Sequence, residues 1–365
     1  MKKIRMIGLT ALALLWVILT CAAWLGPAED FSNTERRMLA QFPKLTTKTV
    51  LNGKFMAEFE SYTLDQFPLR DSFRQLKAIF HYNALGQKDN NDIYIVHDYA
   101  AKLEYPLNEV SVSNAVKKFN HLYEKYLTGS ENIVVSIVPD KGYYLAEANG
   151  YPAMDYEKLF AEIRQGMPWA EFADITEQLD AGDYYRTDTH WRQERIGKVA
   201  EALCKALGVD WFREEELTPT MVERPFYGVY YGQAALPMDA ESLYVMNGDV
   251  LESCTVYNNE TGTTTGIYDW EKLDSRDLYD VYLSGATALL TVENPNANTD
   301  KELLVFRDSF GSSLIPLLVK DYKTVTVVDI RYIASDYLGS YVDFHGQDVL
   351  FLYSTLVLNS STTLK

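Results

Sequence analysis

Two short stretches of this 365-residue chain hold the residue types that acyl transfer needs. One is Leu303-Leu-Val-Phe-Arg-Asp-Ser-Phe-Gly-Ser-Ser-Leu314, in which Ser309 sits where an apolar run ends and a helix begins. In open α/β sheets, functional groups gather at the carboxyl ends of strands. A helix start also aims unpaired N–H groups and the positive end of the dipole at whatever binds there. An oxyanion formed by attack on an ester carbonyl would meet the N–H of Ser309 or Phe310, and Gly311 permits close approach of a ligand. The same residue types describe an ordinary Ser N-cap, and nothing in this stretch alone separates the two.

The other stretch is Tyr184-Tyr-Arg-Thr-Asp-Thr-His-Trp-Arg192. In an extended segment positions i and i+2 project to one side, so the Asp188 carboxylate can hold one imidazole nitrogen of His190. The other nitrogen is then free to take a proton from Ser309. The competing assignment makes Asp188 the cap of a helix over 191–207 and His190 a solvated first-turn residue. Of the remaining His residues, His81, His97 and His121 read as ordinary polar positions. His345, in a turn before the last strand, is the reserve base.

These residues need a sheet to hold them. Ile133–Val138 is a continuous β-branched run that suits a strand buried on both faces. Glu302–Phe306, Thr324–Ile330 and Asp348–Tyr353 read as further strands, and Ile93–Val96 and Phe172–Ile175 as short ones. Helical periodicity is expected over 112–127, 155–165, 191–207 and 309–320. Alternating strands and helices predict a three-layer α/β domain over 92–365. Within it, residues from about 212 to 298 read as an irregular β-rich insertion with turns at Asn247-Gly248 and Thr261-Gly262.

Ahead of this domain the chain is different. Lys2, Lys3 and Arg5 precede an uncharged run from Met6 to Ala28, with Glu29 and Asp30 beyond it. The run is long enough to cross a bilayer core of roughly 30 Å, and the charge order keeps the N-terminus inside and exports the rest. Residues 1–28 are therefore expected to be a signal anchor, or a signal peptide if cleaved. Residues 29–91 form a helical extension. Ser32 has capping-box spacing to Glu35, and an apolar helical face over 52–85 is interrupted at Pro68.

Composition narrows the partners. A net charge of −17, from 34 Lys and Arg against 51 Asp and Glu, argues against nucleic acid. Tyr, at 26 residues, suits polyhydroxylated surfaces and is equally common in secreted folds. Cys21 lies in the apolar run, Cys204 and Cys254 follow with no CxxC or Cys/His cluster, and no zinc site or other cofactor is expected. Pairing of Cys204 with Cys254 cannot be read from spacing.

Taken together, Asp188-Thr-His-Trp191 and Asp308-Ser309-Phe310 resemble the D-x-H-W signature and nucleophile block of the DHHW proteins and the alginate-type O-acetyltransferases, which are similar to SGNH hydrolases. Glu35-Arg-Arg-Met-Leu-Ala40, Asp65-Gln-Phe-Pro-Leu-Arg70, Pro139-Asp-Lys141 and Phe226-Tyr-Gly228 also resemble family segments. The resemblance implies an SGNH-like domain that transfers or removes acetyl groups on an extracellular polysaccharide, without a metal. Ser309 would be the nucleophile, His190 the base and Asp188 its orienter. Arg331 falls where related proteins carry an Arg and would bind substrate; Trp191 and Tyr353 are further expected substrate-binding residues, and a membrane-bound acyl-donor protein is an expected partner. Two departures stand out: Arg307 replaces the usual Gly before Asp-Ser, and the later oxyanion Asn has no firm match, Asn359 being the nearest. The alternative is a non-catalytic glycan-binding or scaffold protein of a surface polysaccharide modification complex.

Overall fold

The computed structural model describes residues 2–130 and 132–365. The chain divides into two compact units: residues up to Asn91 together with Tyr231–Met238, and Asp92–Tyr230 together with Asp239–Lys365.

The larger unit is built on one sheet. Its strands are β1 (Ile133–Val138), β2 (Glu171–Phe172), β3 (Thr255–Asn258), β4 (Thr263–Gly266), β5 (Leu289–Glu293), β6 (Lys301–Arg307), β7 (Tyr322–Val328) and β8 (Asp348–Ser354). They run in the order β4-β3-β5-β7-β6-β8-β1-β2. The five strands from β7 to β2 are parallel, and β5, β3 and β4 extend one edge antiparallel. Alternation along each strand feeds two cores. Leu350 and Leu352 of β8 face the side covered by helix Gly197–Leu207, while Val349, Phe351 and Tyr353 face helices Glu109–Leu122 and Tyr156–Gly166. This is the three-layer arrangement that the sequence predicts.

Several elements differ from expectation. The 212–298 region is β-rich, but three of its strands join the central sheet, and Thr218–Phe226 pairs with Glu241–Asn247 as a separate hairpin. Gly262 adopts φ 69° in the β3–β4 turn, as a tight hairpin there requires. The Asn247-Gly248 position instead leads into a short helix, Asp249–Ser253. The helix expected over 191–207 begins only at Gly197, because Trp191 bridges back to Tyr184 in extended backbone. Asp188 therefore does not cap that helix. The helix after Ser309 is five residues, Phe310–Leu314, and tightens to 3₁₀ at Ile315–Leu318, where Pro316 lacks the N–H that an α-turn would use. Phe172–Ile175 shortens to a strand of two residues, Glu171–Phe172.

Cys204 and Cys254 are free and buried, and burial pushes both thiols up to about 12.

In the smaller unit, helix Lys2–Leu25 contains a span, Lys3–Ala23, with the length and composition of a membrane anchor or signal. Ser32 does not start a helix. Its Oγ accepts the Glu35 N–H at 3.2 Å within a turn between two-residue strands, where Arg36 takes φ 51°. Helices Lys54–Asp65 and Arg70–Ile79 flank the break at Pro68. The two short N-terminal motifs interlock. Glu35 pairs with Arg70 and, at 3.2 Å, with Arg74, while Arg37 donates to Asp65 at 2.8 Å and holds that carboxyl below its usual range.

Candidate active site

The carboxyl ends of four parallel strands deliver the polar groups. Pro139–Lys141 follows β1, Asp308–Ser309 follows β6, Asp329–Arg331 follows β7, and Ser354–Thr355 closes β8. Two fully buried carboxylates lock these ends together. Asp308 accepts the Ser354 N–H at 2.7 Å and the Ser354 hydroxyl at 2.6 Å, tying β6 to β8. Asp140 accepts the Thr355 hydroxyl at 2.8 Å and the Tyr156 hydroxyl at 3.0 Å, tying β1 to β8.

Ser309, His190 and Asp188 come together. His190 Nε2 lies 2.8 Å from Ser309 Oγ, and Nδ1 lies 2.6 Å from Asp188 Oδ1. The His190 N–H also donates to Asp188 Oδ1 at 3.0 Å, and the Val229 N–H donates to Oδ2 at 2.8 Å. Asp188 has no exposed surface and His190 only 7%, while Ser309 is half-buried. The hydroxyl is thus the accessible end of a buried chain of hydrogen bonds. Such an arrangement can deprotonate Ser309 as it attacks a carbonyl, with Asp188 fixing the tautomer and stabilising the imidazolium that forms.

Why the His190 loop has this shape follows from local bonding. The Tyr185 N–H donates to the His190 carbonyl at 3.0 Å, closing Arg186–Thr189 into a tight turn. The imidazole stacks on Tyr279 at 3.9 Å with the planes 8° apart. The Tyr279 hydroxyl pairs with Ser313 Oγ at 2.7 Å, and Trp191 Nε1 donates to the same oxygen at 3.0 Å. Sequence reasoning missed Tyr279, because a ring brought in from a distant 3₁₀ turn leaves no spacing signal.

Gly228, from the Phe226-Tyr-Gly segment, fits where nothing larger can. A Cβ there would stand 2.2 Å from Asp188 Cβ and 2.3 Å from its Cα. Backbone cannot yield as a flexible side chain can. Gly228→Ala is expected to displace the 187–190 turn, lowering ester turnover by roughly 10²-fold and stability by about 1–3 kcal/mol. Turnover assays and denaturant midpoints on the purified variant check this; wild-type values for both would contradict the fit described.

The other expected site residues are placed differently. Trp191 is fully buried, donating to Ser313 and to the Phe310 carbonyl, so it supports the site from beneath and meets no substrate. Tyr353 is likewise fully buried, its ring 4.9 Å from Phe119. Strand alternation turns it into the opposite core from Leu352. Arg331 lies at the correct sheet edge, where its Nε and Nη2 hold Asp329 with contacts at 2.9, 3.2 and 2.6 Å. Asn359 accepts the Asn108 N–H at 2.7 Å and donates to Glu104 at 3.2 Å, away from any oxyanion role. His345 sits 3.3 Å from Glu302, at the start of β6, the end remote from Ser309.

The donors near Ser309 also differ from expectation. The Phe310 N–H is taken by Asp308 Oδ1 at 3.0 Å, so it is not free for an oxyanion. Among the described residues no acceptor takes the Ser309 N–H, which remains the available donor. Arg307 is fully buried, donating to the Gly285 carbonyl at 3.0 Å and lying 3.9 Å from Asp329; burial lowers its affinity for the proton. Arg307 thus fills space beneath the nucleophile turn, where a Cβ on Gly311 would meet its own Cβ at 2.8 Å. Among the described residues no cluster of His, Cys, Asp and Glu could hold a metal ion.

Residues 176–328, which include all three members of the hydrogen-bonded series, match the model of the DHHW protein family. Solved structures share the fold of the larger part of the chain. A DHHW family protein from Eubacterium siraeum DSM 15702 superposes with a TM-score of 0.61 at 21% identity, covering 74% of this chain and 93% of that one. Bacillus cereus PatB1 superposes with a TM-score of 0.57 at 17% identity, covering 73% and 96%. A second PatB1 structure, carrying a sulfonyl adduct, gives a TM-score of 0.57 at 16% identity, covering 73% and 95%. No curated protein matches the chain.

Proposed function

We propose that this chain is a membrane-tethered, extracytoplasmic serine O-acetyltransferase or acetylesterase acting on cell-surface polysaccharide. The observation that carries the reading is the continuous series from Ser309 Oγ through the His190 ring to a buried Asp188, with distances of 2.8 and 2.6 Å. The match over 176–328 supports it.

In the first half-reaction Ser309 Oγ attacks the acetyl carbonyl as its proton passes to His190 Nε2. The departing oxygen then takes that proton, leaving an acetyl ester on Ser309. In the second half, a sugar hydroxyl or water gives its proton to His190 and attacks the ester carbonyl; the bond to Ser309 Oγ breaks, the acetyl leaves on the sugar oxygen or as acetate, and His190 returns the proton to Oγ. Developing charge on the carbonyl oxygen meets the Ser309 N–H. The apolar span Lys3–Ala23 would hold this chemistry at the outer membrane face, near a membrane-bound acyl donor.

The test uses two covalent probes on the full chain in detergent. A small sulfonyl fluoride, chosen because PatB1 is known with a sulfonyl adduct, should add once per chain and map to the peptide bearing Ser309. An activated acetyl ester should leave a transient acetyl group on the same peptide. Labelling that is absent, or that survives in Ser309→Ala, would remove the nucleophile from this reading.

One observation favours a second reading. With the Phe310 N–H committed to Asp308 and Arg307 standing where related enzymes carry Gly, the oxyanion donors are few. A non-catalytic glycan-binding or scaffold protein would keep this fold without turnover. It would bind polysaccharide equally well with Ser309→Ala and take up no acetyl group.

A further inference from the structure

The Pro139-Asp-Lys141 segment places a lysine where lysines are rarely found. Lys141 is 2% exposed, and its Nζ donates to the Tyr185 carbonyl at 2.8 Å and reaches the Arg186 carbonyl at 3.4 Å. Among the described residues the Tyr185 carbonyl has no other donor. The ammonium lies 5.0 Å from the centre of the Tyr230 ring, whose hydroxyl donates to Thr189 Oγ1 at 3.1 Å.

On the other side of the same two peptides stands Glu241. Its Oε2 accepts the Arg186 N–H at 2.6 Å, and its Oε1 accepts both the Thr187 N–H and the Thr187 hydroxyl at 2.7 Å. A cation therefore takes carbonyls and an anion takes N–H groups from the backbone that immediately precedes Asp188. We infer that Lys141 and Glu241 form a charge clamp that positions Asp188 and His190 against Ser309. The inference rests on reading His190 as the base, and it deepens that reading.

A Met at 141 would fill the space with less desolvation; the ammonium adds donors for the turn's carbonyls and a charge facing Asp188. Burial pushes the Lys141 ammonium down to about 7, opposed by Asp188, Glu241 and Asp140, so below that pH it carries its charge. Other ionisable groups facing the turn include Tyr230 beside the ammonium, Tyr185, Arg186, Tyr279 stacked on the His190 ring, and His190 itself.

Two substitutions give effects of opposite sign. Lys141→Met removes a cation near Asp188, leaving the carboxylates unopposed, so the His190 imidazolium is favoured and titrates at higher pH, by roughly one unit. Glu241→Gln removes an anion and moves the titration to lower pH by a similar amount. In each case kcat for a small acetyl ester should fall roughly 10²-fold while KM stays within roughly twofold, the pattern of misplacement rather than lost binding. The acid limb of the kcat/KM profile should move in the same two directions.

The titration is read by NMR from the His190 ring in the full chain, where only five His residues contribute. The measurement is made in a Ser309→Ala background as well. It reports the clamp even if turnover of Ser309→Ala shows that the serine chemistry was wrongly assigned. Opposite shifts support the clamp. Shifts of the same sign, or none, reduce both residues to ordinary packing and overturn it. Should Lys141→Met fail to fold, the near-isosteric Glu241→Gln decides alone: a downward shift sustains the clamp, and an unmoved His190 ends it.

Discussion

Replacing Ser309 by Ala is expected to lower turnover of a small acetyl ester by roughly 10⁴–10⁶-fold while leaving the melting transition within a degree or two of wild type. Among the described residues the hydroxyl caps no helix N–H and hydrogen-bonds to His190 alone, so its removal costs the fold little. His190→Ala should reach a similar floor. The double variant should be no worse than either single one, since a proton acceptor without a nucleophile has nothing to accept. Steady-state assays across the three variants check this. Additive losses would mean that Ser309 and His190 act independently, which a 2.8 Å contact between them does not permit in the proposed chemistry.

Asp188→Asn is expected to cost roughly 10⁴-fold in kcat although its shape is unchanged. The Asp188 carboxylate receives N–H groups on both oxygens: the His190 N–H and ring Nδ1 on Oδ1, and the Val229 N–H on Oδ2. An amide has only one acceptor oxygen. If it satisfies Val229, its NH₂ faces Nδ1 and selects the tautomer with hydrogen on Nε2, which cannot accept from Ser309. If it satisfies His190, the Val229 N–H is left facing a donor, at a cost of about 1–3 kcal/mol. A pH–rate profile together with denaturant melts distinguishes these routes. Near-wild-type kcat would show that Asp188 serves only as a structural anchor.

The Ser309–His190 pair was legible in the sequence because each member is announced locally. Ser309 follows an apolar run of strand length, and His190 follows Asp188 at a spacing of two, which brings the two side chains together through a tight turn rather than the extended backbone expected. What sequence cannot carry is the shape of the segment between such marks. Trp191 begins a stretch with helical periodicity, yet its indole is drawn beneath Phe310 and Ser313, so only a 3₁₀ turn at Gln193–Arg195 forms before the α-helix starts at Gly197. Tyr353 lies one residue before Ser354 at the end of a strand, and one step along a strand reverses the face, which turns its ring into the core.

Glu241 and Tyr279 were invisible for a different reason. Their roles are set by long-range packing onto a turn, with no motif of their own. Lys141 was noticed as part of a motif, but only the carbonyls above it give it a task. The span 212–298 read as an insertion because antiparallel strands with exposed Thr lack the continuous apolar runs of the central ones.

The two sequestered sulfur atoms have a consequence for redox chemistry. Oxidants and alkylating reagents react with thiolates, and Cys204 and Cys254 are both hidden and hard to ionise. In the folded chain these two sulfhydryls would therefore resist oxidation and alkylation and become reactive only on unfolding, whereas Cys21 is exposed.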